Sequence, residues 1–448
     1  MQKTRAPKLK NIIVTSLLSL TAVHLTGCQS FSGLFPDKPE TAIPVATPIE
    51  HKTIASHEFN LSKDQGIVGA MAAVNTREND TLSDIARHYG LGYNDITIAN
   101  PSIEPWTPKA DSRVLLPLRF IVPDAPRKGI VLNLANMRMF YYPKKQPNKV
   151  FTYPVGIGRQ GWSTPMGLTH IADKKANPTW SVPESIQREH AEKGAPLPKF
   201  VRSGPDNPLG YYAMRLGFSG YLIHGTNKPY GIGMQVSHGC VQLYPEDIKD
   251  LFAKAYVGMD VRITHQPYLT AWDANKMLYL EAHEPLDKWI RNKPQLQKKL
   301  LSKLRQISTK SKVNIDWKKV DRILARSDGI PTPILANSPD VVEISKNAMQ
   351  MAHPGRLFEQ PIIGELKDSD WSILVATFDD ETKAQEMAAM LNHQGPTIPA
   401  RKVKKNESYQ VIAGPFKNKS EVKAVAKRIR IDFEMSVEPL EPRLISKR

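Results

Sequence analysis

The chain has 448 residues, a length that usually divides into about three domains of roughly 100–200 residues each. Its hydrophobic share of 41% and its 36 prolines exclude one large core and favour folded units on proline-rich connectors. A formal net charge of +17 points to an anionic partner: nucleic acid, an acidic membrane surface or a polyanionic wall polymer. In chain order, residues 1–27 read as an export signal. Lys3, Arg5, Lys8 and Lys10 precede an apolar run from Ile12 to Leu25 that is short for a membrane span, and Leu25-Thr26-Gly27-Cys28 supplies small residues for cleavage. His24 interrupts that run, and an uncleaved anchor helix is the competing reading. Export makes nucleic acid an unsuitable partner. Residues 28–70 carry Pro36, Pro39, Pro44 and Pro48 without apolar periodicity and read as a tether.

Residues 71–118 predict a small βααβ unit. Asp80 or Thr81 caps a helix that places Leu82, Ile85, Ala86 and Tyr89 on one face, and Gly90 stops it. A second amphipathic turn runs through Asn94, Ile96 and Ile98, and the β-like runs Ala73–Val74 and Val114–Leu116 flank the pair. Residues 119–266 predict a mostly β domain: IVLNLANMRMFYY and KVFTYPVGIG read as strands, and Gly156, Gly158, Gly161 and Gly167 punctuate them. Its one clear helix is PEDIKDLFAKA, with Pro245 in the first turn and Glu246 and Asp247 at the positive end. Residues 267–365 predict a basic helical connector and linker, with Leu296, Leu300, Leu301 and Leu304 at helical spacing inside the Lys/Arg-rich 286–327 segment. Residues 366–442 predict two strand–helix repeats: WSILVATF with ETKAQEMAAMLNHQG, then YQVIAGPF with KSEVKAVAKRI.

The chemistry concentrates in SHGCVQL, residues 237–243. It sets Cys240 beside His238 and behind Gly239, with His224 sixteen residues upstream of the cysteine. A thiol needs a base that works near neutral pH, and histidine is suited to that task. Glycine before a nucleophile permits a tight turn that brings backbone N–H groups toward a developing oxyanion. Two other readings stand beside this one: a small buried core cysteine, and a zinc site, although no CxxC or HxxxH spacing is present. If Cys28 is occupied elsewhere, Cys240 has no intramolecular disulfide partner, since the chain holds 2 cysteines.

The run YLIHGTNKPYGIGMQVSHGCVQLYPEDIKDLF, with GIGRQGWSTPMG, NPTWSVP and GPDNPLG, resembles the L,D-transpeptidase catalytic domain over about Ile121 to His265. The resemblance implies a β-sandwich-like fold and a cysteine acyltransferase that needs no cofactor or metal. It would attack the diaminopimelate carbonyl of a peptidoglycan tetrapeptide stem, release D-alanine and pass the acyl group to an amine. By position, Cys240 is the implied nucleophile and His224 the base, oriented by the Gly225 carbonyl. Ser237, His238 and Gly239 are implied supports, with amides of Gly239 and Cys240 facing the oxyanion, and an imidazole beside the thiol is expected to yield a thiolate. Gln242 stands where many members carry arginine or asparagine, which leaves substrate details and an inactive scaffold open. Trp162, Trp180, Tyr211, Tyr212 and Tyr230 are candidate walls of the peptide groove, or core aromatics.

DTLSDIA and the following ANP resemble a lysin motif, which implies binding to the peptidoglycan glycan; a plain cap on the next domain is the alternative. VIAGPF and its helix resemble the sporulation-related repeat, a ferredoxin-like peptidoglycan-binding domain. LTGC resembles a bacterial lipobox, which implies lipid on Cys28, and Gln29 then implies an outer-membrane lipoprotein facing the periplasm of a Gram-negative bacterium. The implied partners are peptidoglycan and the membrane, and the acyl acceptor is a second stem, a lysine of a wall-attached lipoprotein, a D-amino acid or water. The main alternative is a catalytically inert tether between outer membrane and wall.

Overall fold

The structure is a computed structural model that describes residues 57–192, 196–433 and 435–442. The signal segment, most of the tether and Cys28 lie outside the described residues. At the centre is a nine-stranded sheet. Its order is Glu58–Asn60, Lys149–Pro154, Arg138–Tyr142, Gly129–Asn133, Asp260–Thr264, Gly167–Ala176, Tyr212–Leu216, Leu222–His224 and Val241–Gln242. Neighbours are antiparallel except at two places, where Gly129–Asn133 meets Asp260–Thr264 and Leu222–His224 meets Val241–Gln242. Ile130, Leu132, Met139, Ile171, Met214, Ile223, Val241 and Val261 form the core beneath it, closed by Ile248 and Leu251 of the helix Pro245–Lys254. Two differences from expectation follow. The tether stops short of residue 70, because Glu58–Asn60 pairs with Lys149–Phe151 and Ile67–Gly69 with Arg119–Ile121. Strands of three residues are too short to leave a periodicity to read, although Phe59 and Val68 pack into the core. A second helix, Glu184–Glu192, joins the expected one; with Ile186 and His190 its buried side chains, its apolar stripe is too thin to signal.

Residues 72–116 run strand, helix, helix, strand. Ala72–Asn75 pairs antiparallel with Arg113–Leu116, and between them lie the helices Leu82–His88 and Tyr93–Ala99. Thr81 is the cap: its hydroxyl oxygen accepts the Asp84 N–H at 3.0 Å. Leu82, Ile85, Ala86, Tyr89 and Ile96 are buried, whereas Ile98 is 45% exposed and takes no part in the core. A third strand arrives from a distant stretch that reads as linker, Met349–Met351, which pairs parallel with Ala72–Val74.

The 267–365 stretch is more than a helical connector. Tyr268–Trp272, Leu278–Ala282 and Thr332–Pro333 form a sheet on which the helices Lys293–Ser311 and Trp317–Arg326 pack. Leu278, Leu280, Ala282, Leu300, Leu304, Val320 and Ile323 give this unit a core of its own. The basic residues dominate its composition and mask the alternation of Leu278, Leu280 and Ala282.

In the C-terminal domain each expected repeat gains a strand. The sheet order is Ala400–Lys405, Ser408–Phe416, Trp371–Phe378 and Glu438–Leu440, all antiparallel, backed by the helices Glu381–Asn392 and Lys419–Phe433. The two added strands are the edges. Lysines in one and Pro439 in the other guard against pairing with a second chain and also hide the strand pattern.

Arg138 fastens the N-terminal unit to the central sheet. Its side chain is buried, and its guanidinium donates to Thr152 Oγ1 at 3.1 Å, to the Gly90 carbonyl at 3.3 Å and to the Asp95 carboxylate at 2.8 Å. It also lies 4.0 Å over the Phe120 ring. Replacement by alanine strands a largely buried carboxylate and opens a cavity. Arg138→Ala is expected to lower stability by about 3–5 kcal/mol, measured by urea unfolding of the full chain.

Candidate active site

Strand alternation builds the site. Ile223 and Val241 are partners in the parallel pair, and both point into the core. Successive side chains face opposite ways, so Leu222, His224, Cys240 and Gln242 turn to the other face. All four line one cleft of about 730 Å³, walled by Trp162, Trp180, Ile186 and Tyr221. A residue shift in either strand would send His224 or Cys240 into the core.

His224 is buried, and its Nδ1 lies 2.6 Å from the Gly225 carbonyl oxygen. A carbonyl only accepts, so Nδ1 carries the hydrogen and Nε2 keeps the lone pair. Burial pushes the imidazole down to about 4, against the opposing pull of the Gly225 carbonyl. The Cys240 thiol is directed at the Gly220 carbonyl, 3.9 Å away. Burial pushes it up to about 11, with a backbone contact to Leu222 pulling the other way. Burial thus raises the thiol, where a neighbouring imidazole was expected to lower it. Loss of water disfavours the charged form of each group.

The turn carrying Cys240 is fixed by its neighbours. Gly239 has φ +101°, and a Cβ there would lie 2.8 Å from the Tyr221 ring, so glycine is required on both counts. Ser237 Oγ accepts the Gly239 N–H at 3.1 Å and donates to the Cys240 carbonyl at 2.6 Å. Thr164 Oγ1 donates to the Gly239 carbonyl at 2.9 Å and accepts the Gly158 N–H at 3.0 Å. The Arg159 N–H donates to the Ser237 carbonyl at 2.9 Å. The glycine-rich GIGRQGWST loop thus grips the SHGC turn. The Gly239 N–H, expected to face the oxyanion, is already given to Ser237 Oγ.

His238 lines the cleft, but its Nε2 is held 2.9 Å from Glu189 Oε2 and 2.8 Å from Arg159 Nη2. Arg159 Nη2 in turn reaches both Glu189 oxygens at 2.7 Å, and the His238 ring meets Trp162 edge to face at 4.8 Å. The imidazole therefore links the Cys240 turn to the helix Glu184–Glu192. Gln242 pairs through its backbone with Gly156, 2.9 Å in each direction, and its side chain faces the cleft.

The structure separates the candidate wall aromatics. Trp162 and Trp180 line the cleft. Tyr230 is buried elsewhere, in a small neighbouring cavity, with its hydroxyl accepting from Gln394 Nε2 at 3.3 Å. Tyr211 is 48% exposed and faces a different cavity, and Tyr212 packs on Phe252. Sequence reasoning missed Arg159, Thr164, Tyr221 and Glu189. The first three lie inside motifs quoted for the resemblance, whereas Glu189 is one acid among the polar residues of a helix and carries no local signal. Among the described residues, no cluster of His, Cys, Asp and Glu is arranged to hold a metal ion.

Residues 127–263 match the YkuD model, the L,D-transpeptidase catalytic domain, and residues 367–435 match the SPOR domain. The probable L,D-transpeptidase ErfK/SrfK of Escherichia coli (strain K12) is 35% identical over 314 residues, which cover 69% of this chain and 96% of that protein. The chain belongs to the L,D-transpeptidase family. A second relative, the probable L,D-transpeptidase YcfS of the same strain, is 39% identical over 263 residues, 57% of this chain and 82% of the relative. The catalytic domain of an E. faecium L,D-transpeptidase, solved by NMR, aligns at 22% identity and a TM-score of 0.25, covering 32% of this chain and 99% of that one. With its catalytic domain and relatives of that name, this L,D-transpeptidase is an enzyme, and its SPOR domain implies peptidoglycan binding as well. Among the described residues, no helix is long and apolar enough to cross a membrane.

A thiol at about 11 has a testable signature. Alkylation of Cys240 by iodoacetamide, followed by intact mass, is expected to accelerate about tenfold per pH unit from pH 7 to 10, as the thiolate fraction does. A plateau near neutral pH would mean a preformed thiolate–imidazolium pair instead.

Proposed function

We propose that this L,D-transpeptidase acts on a tetrapeptide stem of peptidoglycan, with Cys240 as nucleophile and His224 as general base. The observation that carries the reading is the shared cleft face of the two side chains, with the His224 lone pair left at Nε2 by the Gly225 carbonyl. Starting from a neutral pair, the base removes the thiol proton as sulfur adds to the diaminopimelate carbonyl, so charge appears only in the transition state. The Cys240 N–H, at a turn fixed by Ser237 and Thr164, faces the oxyanion. The imidazolium then protonates the departing D-alanine amine, leaving a thioester. An incoming amine gives its proton to the same imidazole and expels the thiol. Trp162 and Trp180 offer rigid walls for the stem, and Gln242 a neutral amide for one of its carbonyls or carboxylates.

The 71–118 unit is read as a lysin-motif-like glycan grip, and the C-terminal sheet order as ferredoxin-like. Lipid on Cys28 would place the enzyme on the periplasmic side of the outer membrane. Acceptors consistent with this chemistry are a second stem, a lipoprotein lysine, a D-amino acid, or water in an L,D-carboxypeptidase reaction.

Incubation with a disaccharide tetrapeptide is expected to raise the intact mass by one acyl group and to release D-alanine. Cys240→Ala should abolish both, and His224→Ala should slow acylation by at least about a hundredfold. A wild-type protein that gains no mass, or a Cys240→Ala variant that still does, would overturn the assignment of Cys240 as the nucleophile.

A further inference from the structure

Between His224 and Cys240 the chain leaves the sheet, and this connecting loop is held from two sides by other domains. From the N-terminal unit, the Tyr93 N–H donates to the Ile232 carbonyl at 2.8 Å. Just beyond the Cys240 strand, Arg87 forks onto Glu246 with two contacts of 2.8 Å, and the Tyr244 hydroxyl donates to the Leu91 carbonyl at 3.1 Å. From the SPOR domain, the turn after the helix Glu381–Asn392 lies on the segment 227–230. Asn227 Nδ2 donates to the Gly395 carbonyl at 3.4 Å, and Gln394 Nε2 donates to the buried Tyr230 hydroxyl at 3.3 Å. The Lys228 ammonium lies 3.9 Å from the Asp432 carboxylate in the second SPOR helix. His393, next in the same turn, meets the buried Asp84 carboxylate of the N-terminal unit at 2.8 Å.

The fit leaves no space. A Cβ at Gly395 would lie 1.3 Å from the Asn227 carbonyl oxygen, and that oxygen is backbone, so it cannot rotate aside. Gly395 is not among the positive-φ glycines, so the turn itself would accept alanine and only the contact with Asn227 would refuse it. Asn227 is two residues beyond Gly225, whose carbonyl sets the hydrogen on His224. A module held only for reach has no use for buried polar contacts against this loop.

We infer that the SPOR domain is a positioning element for the catalytic base: by closing on Asn227–Tyr230 it fixes the loop from which the Gly225 carbonyl orients His224. The inference rests on the proposed role of His224. Gln394, Gly395 and Asn227 are its positioning residues and touch no reacting atom.

The test uses the full-length chain carrying Gly395→Ala, with Gln394→Leu as a second variant that removes one hydrogen bond without adding a clash. Hydrogen exchange is expected to show lost amide protection at residues 226–232, with the SPOR sheet itself still protected. On a soluble disaccharide tetrapeptide, kcat is expected to fall on the order of tenfold to a hundredfold for Gly395→Ala, with KM within about twofold. Gln394→Leu should move the same way by less, and it carries the test should Gly395→Ala fail to fold. Binding to purified sacculi should persist. Unchanged kcat in a variant whose loop has lost protection overturns the inference. So does unchanged protection in Gly395→Ala, because the docked contact cannot coexist with a side chain there. Should the wild type release no D-alanine, the proposed reaction falls, and the exchange experiment still reads whether the SPOR domain holds the loop.

Discussion

The parallel pairing of Leu222–His224 with Val241–Gln242 is the constraint on which the rest depends. It is short, and it sits at the end of a nine-stranded sheet whose interior is fully packed. Ile223 and Val241 satisfy the core, and the period of two then delivers an imidazole and a thiol to the same cleft without further instruction. Everything around it preserves that register: Ser237 and Thr164 fix the turn, and Gly156 bridges Gln242.

Burial shapes the chemistry as well as the geometry. A partly desolvated cleft disfavours charge on both the sulfur and the imidazole. Reactivity is then conditional on a substrate that brings its own electrophile.

What was legible in the sequence was local. Cys240, Gly239 and Ser237 are adjacent, so the turn they form can be read directly, and the capped helix after Thr81 carries its own signature. Apolar alternation exposed the long strands but could not expose Glu58–Asn60 or Met349–Met351, which are only three residues long. Charge misled twice. The lysines of the 267–365 stretch obscured a packed core beneath the helix Lys293–Ser311, and those of Ala400–Lys405 hid an edge strand. Glu189 was invisible because its meaning lies in a partner 49 positions away in the chain, His238. Tyr230 was misplaced for a related reason, since its neighbour Gln394 belongs to another domain.

The strand Met349–Met351 returns from far along the chain to complete the sheet of the 72–116 unit. The sheet of this unit is therefore finished by a strand from beyond the catalytic domain. Excising or transplanting the first unit by cutting at its apparent borders would leave a bare sheet edge, open to another copy of itself. Modularity read along the gene is not modularity in space here, and a recombination event that respected the former would violate the latter.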